Sequence, residues 1–129
     1  MNEYEQERRE RGQRVFAEVN GFEIPVVPSN SPLAELTVDH VFGEIWTRPG
    51  LTRKERRWIA LTSVAAASAD QALKIHVAGA LGSGDITIDE LREFVAHFAV
   101  YQGFPKAVAL SSAIEEAWAT SQAGAGDGS

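Results

Sequence analysis

Apolar and polar positions along this chain recur with a helical period almost throughout. The stretch from Glu3 to about Val19 is charged and places Tyr4, Arg8, Arg11 and Val15 on one side; Gly21 follows as a natural C-terminal stop. "FEIPVVPSNSP" has three prolines in eleven residues, which predicts an extended connector. A second helix is expected from Leu33 or Val38 to Thr47, ended by Pro49-Gly50. Because a proline follows it, Arg48 leans toward extended backbone and falls at the helix end. Thr52 with Glu55 is a capping-box spacing. "RRWIALTSVAAASA" behind it is apolar nearly all round beyond Trp58, the pattern of a central buried helix.

The next helix is predicted over about Gln71 to Leu81, capped by Asp70, with a stripe of Leu73, Val77, Ala80 and Leu81 that includes His76. "GSGD" reads as a loop. Thr87 with Glu90 repeats the capping box, and Leu91, Phe94, Val95, Phe98 and Ala99 form the stripe behind it. Gly103 stops that helix, and Pro105 at a first helical position opens a last one burying Ala107, Leu110, Ile114, Ala117 and Trp118. The expectation is an all-α bundle of about six helices. It is one domain over residues 1–122, and residues 123–129 ("AGAGDGS") form a flexible tail without core-forming side chains. Helices this short leave apolar residues facing outward, which predicts cover by another subunit.

Composition narrows the partners. The 129 residues carry a formal charge of −6 and a pI near 5.0, which argues against nucleic acid. A local basic cluster of Arg48, Arg53, Lys54, Arg56 and Arg57 keeps an anionic small molecule open. The simplest reading of that cluster is a solvated helix start. Cations there oppose the helix dipole, however, which hints at an anionic ligand or an acidic partner surface. The absence of cysteine removes disulfides, thiolate nucleophiles and Cys-based metal sites. It fits a reducing compartment. "MNEYEQERRERGQRV" has no apolar core of a signal peptide, and no apolar run approaches membrane-spanning length; a cytoplasmic location without membrane association is expected.

Three histidines carry the candidate chemistry. His40 and Glu44 are i, i+4 partners. They are either a surface pair worth a few tenths of a kcal/mol or a proton-transfer pair in which Glu44 sets the state of His40. His76 on its apolar face is either a buried neutral histidine with one hydrogen bond or an acid or base whose burial lowers its pKa. His97 and Tyr101 form a further i, i+4 pair of structural character. His40 and Glu44 could supply two metal ligands, but a catalytic zinc site wants a third, and no metal is expected.

Taken in order, "DHVFGEIWTRPGLTRKERRWIAL", "LKIHVAGAL" and "DELREFVAHFAVYQGFPKAV" resemble the carboxymuconolactone decarboxylase family of the AhpD-like superfamily. "RGQRVFAEVNG" is similar to the family's first helix, so the resemblance runs from about Arg11 to Trp118. It implies an all-helical fold assembled as a homo-trimer or homo-hexamer. The superfamily's peroxidases use a CxxC motif shortly before the helix histidine. Here "ASADQALKIH" keeps His76 and has no cysteine, so that thiol chemistry is excluded.

The decarboxylase branch is matched in "FGEIWTRPGL". It implies cofactor-free conversion of a carboxylated lactone, 4-carboxymuconolactone, into 3-oxoadipate enol-lactone. In that scheme Arg48 clamps a carboxylate and His76 is the acid or the oxyanion donor. Glu44 and His40 form a proton pair, while Trp46 and Tyr101 either wall the pocket or, as large aromatics more often do, simply fill the core. An Arg soon after the helix histidine and an Asn before the following Gly are common in the family. Here "VAGAL" and "GSGD" put Ala78 and Ser83 near those places. Another enzyme on this scaffold (a lactone hydrolase, isomerase or cyclase) and a non-catalytic oligomeric binding module are the competing readings.

Overall fold

A computed structural model describes residues 1–24 and 26–127; Pro25 of the connector and residues 128–129 of the tail lie outside the described residues. The described residues contain helices and no strand. Helix α1 spans Glu3–Asn20, α2 Pro32–Glu35, α3 Arg53–Ala66, α4 Asp70–Ser83, α5 Ile88–Gln102 and α6 Phe104–Asp127. Between α2 and α3, Leu36–Ile45 is a π-helical segment continuous with α2.

The stops and caps act as the sequence predicts at most ends. Gly21 ends α1 with a φ of 81°, and its N–H reaches the Ala17 carbonyl. Thr52–Glu55 and Thr87–Glu90 each form the complete reciprocal capping box. Two ends differ. Asp70 is the first residue of α4 rather than its cap: Ala69 holds the cap position with no side-chain bond, and Asp70 favours the first turn through the helix dipole. Helix α4 also continues through Gly82 and Ser83 and stops at Gly84 (φ 78°), which shortens the "GSGD" loop. Helix α6 starts at Phe104, placing Pro105 one position inside. It runs through Asp127, and residues 123–125 are exposed.

Two apolar clusters organise the chain. The larger joins Leu61 and Ala65 of α3, Leu73, Val77 and Ala80 of α4, Leu91 and Phe98 of α5, and Leu110 and Ile114 of α6. The smaller joins Val15, Phe16 and Val19 of α1 to Phe42 of the π segment. Helix α3 is not the centrally buried element that its composition predicts. Within one chain only Arg57, Leu61 and Ala65 are buried, and Ile59 is 55 % exposed. Off that stripe Trp58, Val64 and Ala66 are partly buried against the larger cluster, with the Trp58 ring 5.1 Å from that of Phe94 in α5. Ala117 and Trp118 of α6 are likewise only half-buried.

Two glycines set how closely α1 lies against its neighbours. A Cβ at Gly12 would sit 1.9 Å from the Val38 carbonyl oxygen, and one at Gly79 would sit 2.2 Å from the Val19 carbonyl oxygen. The backbones of the π segment and of α4 therefore touch α1 directly. Arg57 locks the second contact. It is 1 % exposed, with Nε donating to Asp85 at 2.8 Å and Nη1 donating to the Val19 carbonyl at 3.0 Å. One α3 side chain thus satisfies a carbonyl at the C-terminus of α1 that the helix itself leaves open.

Candidate active site

The π segment carries most of the candidate residues, and its backbone sets where they point. Its widened ladder is seen at the exit, where the Trp46 N–H bonds the Val41 carbonyl, five residues back, at 2.9 Å. Side chains compete for its carbonyls: Arg11 Nε donates to Gly43 O at 2.7 Å, and Thr47 Oγ1 donates to the same oxygen at 3.1 Å. Such insertions divert a helix from α geometry. Glu44 and Trp46, two positions apart, do not share a face.

Glu44 faces α1. Arg8 Nη1 donates to its Oε1 at 3.0 Å. His40 Nδ1 lies 3.6 Å from the same oxygen, within ion-pair range but long for a full hydrogen bond. The Arg8 hydrogen bond, with His40 adding to it, holds the Glu44 carboxyl below the usual carboxylate range, so Glu44 is an anion at neutral pH. Beside it, Arg9 grips Asp39 through two bonds of 2.9 Å. A cavity of about 340 Å³ adjoins these groups, lined by Arg8, Glu35, Asp39 and His40 among others.

Trp46 faces α4. Rings run from Phe16 to Phe42 (5.1 Å between centroids), to Trp46 (5.8 Å) and to His76 (6.3 Å), the last pair within 10° of parallel. His76 is half-buried. Burial, and after it the Arg57 charge, push its pKa below the ordinary 6.5, so the imidazole is neutral at pH 7.

Within one chain the contacts of the candidates fall into two groups. Arg8, His40 and Glu44 lie on the α1 side, and Trp46 and His76 lie on the α4 side. No hydrogen bond or ion pair among the described residues joins Glu44, His76 and Arg48. Arg48 is exposed at the helix exit; its N–H bonds the Ile45 carbonyl at 3.2 Å, and its own carbonyl accepts from Arg56 Nη2 at 2.9 Å. Tyr101 is 76 % exposed, and its ring pairs with His97 at 5.4 Å rather than with Trp46 or His76.

The basic cluster resolves mainly into structural ties. Arg53 pairs with Glu18 at 2.9 Å, Lys54 with Glu90, and Arg57 with Asp85. The dipole conflict is thus met by carboxylates of α1 and α5 and of the loop after α4. Among the described residues no group of three or more His, Asp or Glu is placed to hold a metal ion. No helix among them is long and apolar enough to cross a membrane.

The model of the "Carboxymuconolactone decarboxylase family" matches residues 31–116. The chain belongs to the carboxymuconolactone decarboxylase family. The match begins at Ser31, so Arg8, Arg9 and Arg11, which hold the π segment, lie before the matched stretch. A nitrosuccinic acid decarboxylase of Metarhizium robertsii is 38 % identical over 81 residues, covering 63 % of this chain and 56 % of that protein. A 4-carboxymuconolactone decarboxylase of Acinetobacter baylyi is 33 % identical over 75 residues, covering 58 % of this chain and 55 % of that protein. The chain spans about half the length of these curated relatives.

Proposed function

We propose that this chain is a cofactor-free carboxy-lyase acting on a small acid with two carboxylates, one of which leaves as CO₂. The narrow form of the reading is conversion of 4-carboxymuconolactone into 3-oxoadipate enol-lactone; nitrosuccinate is the second substrate to try. The observation that carries it is His76, half-buried against Trp46, neutral at pH 7, and inside the stretch shared with the family. Two relatives named as decarboxylases support the reaction class.

In the lactone, the bond from ring carbon to departing carboxylate breaks. Its electron pair moves through the C=C to the lactone carbonyl and gives a furanolate anion. CO₂ leaves, and a proton added at a ring carbon completes the enol-lactone. A neutral imidazole is suited to donate an N–H to the developing oxyanion, which is the role we give His76. The proton comes from His40, with anionic Glu44 as its partner. Arg48 takes a carboxylate, and Trp46 and Tyr101 wall the pocket.

Because no hydrogen bond or ion pair joins Glu44, His76 and Arg48 among the described residues of one chain, the working site in this reading forms on assembly, as a homo-trimer or homo-hexamer. The exposed Val100, Tyr101, Phe104 and Val108 give the apolar surface such assembly would cover. A cytoplasmic location accords with the absence of cysteine. A different reaction on the same scaffold is the second reading, favoured by the pairing of Arg53, Lys54 and Arg57 with carboxylates, which leaves fewer cations for a dianion.

Turnover of 4-carboxymuconolactone and of nitrosuccinate, followed by ultraviolet absorbance and CO₂ release, tests the reading. His76→Ala should lower kcat roughly 10²-fold, the scale of a lost oxyanion donor. Near-full turnover in that variant would remove His76 from the chemistry. No turnover of either acid by the folded wild type would sink the carboxy-lyase reading while leaving the family membership intact.

A further inference from the structure

A cavity of about 120 Å³ opens between the end of the π segment and the first turns of α3, lined by Ile45, Trp46, Arg56, Ile59 and Ala60. Arg56 brings the single charge. Its Nη2 is fixed on the Arg48 carbonyl at 2.9 Å, which leaves Nη1 without a hydrogen-bond partner among the described residues. The neighbouring cations Arg53, Lys54 and Arg57 all reach carboxylates; no such pairing is found for Arg56 among the described residues. A guanidinium with an unused donor thus lines a space that is otherwise apolar. A cation at an apolar space calls for a counter-charge, and the partner that matches a guanidinium is a carboxylate. Trp46, one wall of the cavity, stacks on His76.

We propose that Arg56 is a substrate-binding residue, taking one carboxylate of a small dicarboxylate in this cavity. The identity of the acid rests on the proposed carboxy-lyase reading; the subsite itself does not. A water molecule's share of liquid volume is about 30 Å³, so the space holds a carboxylate and a carbon or two. The rest of the ligand extends outward past the Arg48 backbone that Arg56 holds. The carboxylate bound here is the one retained. A departing carboxylate loses its charge in the transition state, and a firm ion pair in an apolar pocket would oppose that loss. Arg48, exposed and less constrained, is left to meet the other end.

Succinate is the probe, titrated by calorimetry into the full chain. Wild type should bind it, and succinamide, which lacks the charge, should not compete. Arg56→Gln should weaken succinate binding roughly ten- to hundredfold, the scale of a charge-assisted hydrogen bond. Arg56→Lys should fall between, because it keeps the charge and loses the planar fork. Circular dichroism reports whether each variant folds. Should Arg56→Gln fail to fold, Ile59→Trp fills the cavity from an exposed position and should also abolish binding. Failure of wild type to bind succinate, or unchanged binding in a folded Arg56→Gln or Ile59→Trp chain, would overturn the proposal. Binding lost with Arg56 in a chain that turns over neither acid would keep the subsite and discard the carboxy-lyase reading.

Discussion

Replacing Arg57 by methionine separates what this side chain does for the fold from what it does to His76. Methionine keeps an unbranched stem and removes every donor. Asp85 loses a 2.8 Å partner but is 34 % exposed, so water takes over much of that arm. The Val19 carbonyl, on a buried residue, loses its 3.0 Å donor, and an orphaned buried acceptor costs about 1–3 kcal/mol. Relief from burying a guanidinium offsets part of this. A net loss of about 2 kcal/mol follows, which at about 3 °C per kcal/mol for a chain of this size lowers Tm by about 6 °C. The measurement belongs at pH 8, where His76 is neutral in both proteins. Below pH 6.5 the wild type loses stability, because its His76 binds a proton less readily folded than unfolded. Without the Arg57 charge the folded pKa rises toward 6.5 but stays below it, since burial remains. The stability gap between the two proteins should therefore narrow as pH falls. A Tm within about 2 °C of wild type, together with an unmoved His76 titration by NMR, would refute both halves of the reasoning.

The close contact at Gly79 predicts that Gly79→Ala forces α1 off α4; thermal melts should show a loss of at least about 2 kcal/mol, comparable to overpacking a core. With Trp58 and Trp118 changed to phenylalanine, emission from Trp46 should be quenched as His76 protonates, with a midpoint below 6.5; a midpoint at or above 6.5 would contradict the burial argument. Arg8→Met should let the Glu44 carboxyl titrate closer to its ordinary 4.5, moving the acidic limb of any Glu44-dependent activity to higher pH; an unmoved limb, with Glu44 titrating as before by NMR, would mean Arg8 does not hold that anion.

Local chemistry was legible in the sequence. Both capping boxes, the Gly21 and Gly103 stops and the stripe of α5 depend on residues within one or two turns, and each forms as its spacing predicts. What failed depends on packing partners. The composition of α3 predicts burial all round, but Ile59 on its outer side stays largely exposed within one chain. The i, i+4 spacing of His40 and Glu44 suits α and π backbones alike, so it carried no sign of the π segment. Arg8, Arg9 and Arg57 act across 28 to 38 residues of sequence, on Glu44, Asp39, Asp85 and Val19. Arg57 did stand out as a cation at a helix start, and its resolution is an acidic loop and a helix end folded over it. Arg56 was visible only as one of that cluster, because nothing local distinguishes a cation with a carboxylate partner from one without.

The π segment also works as a gear between two parts of the chain. An α-helix turns about 100° per residue. Deleting one residue between Leu36 and Ile45 would restore a tighter ladder and swing the parts on either side by about that angle. The carboxylate now on α1 and the indole now on the imidazole could not both keep their partners. A single-residue change in length is therefore a larger step here than most substitutions, and it offers a route by which one family could present the same side chains to a different space.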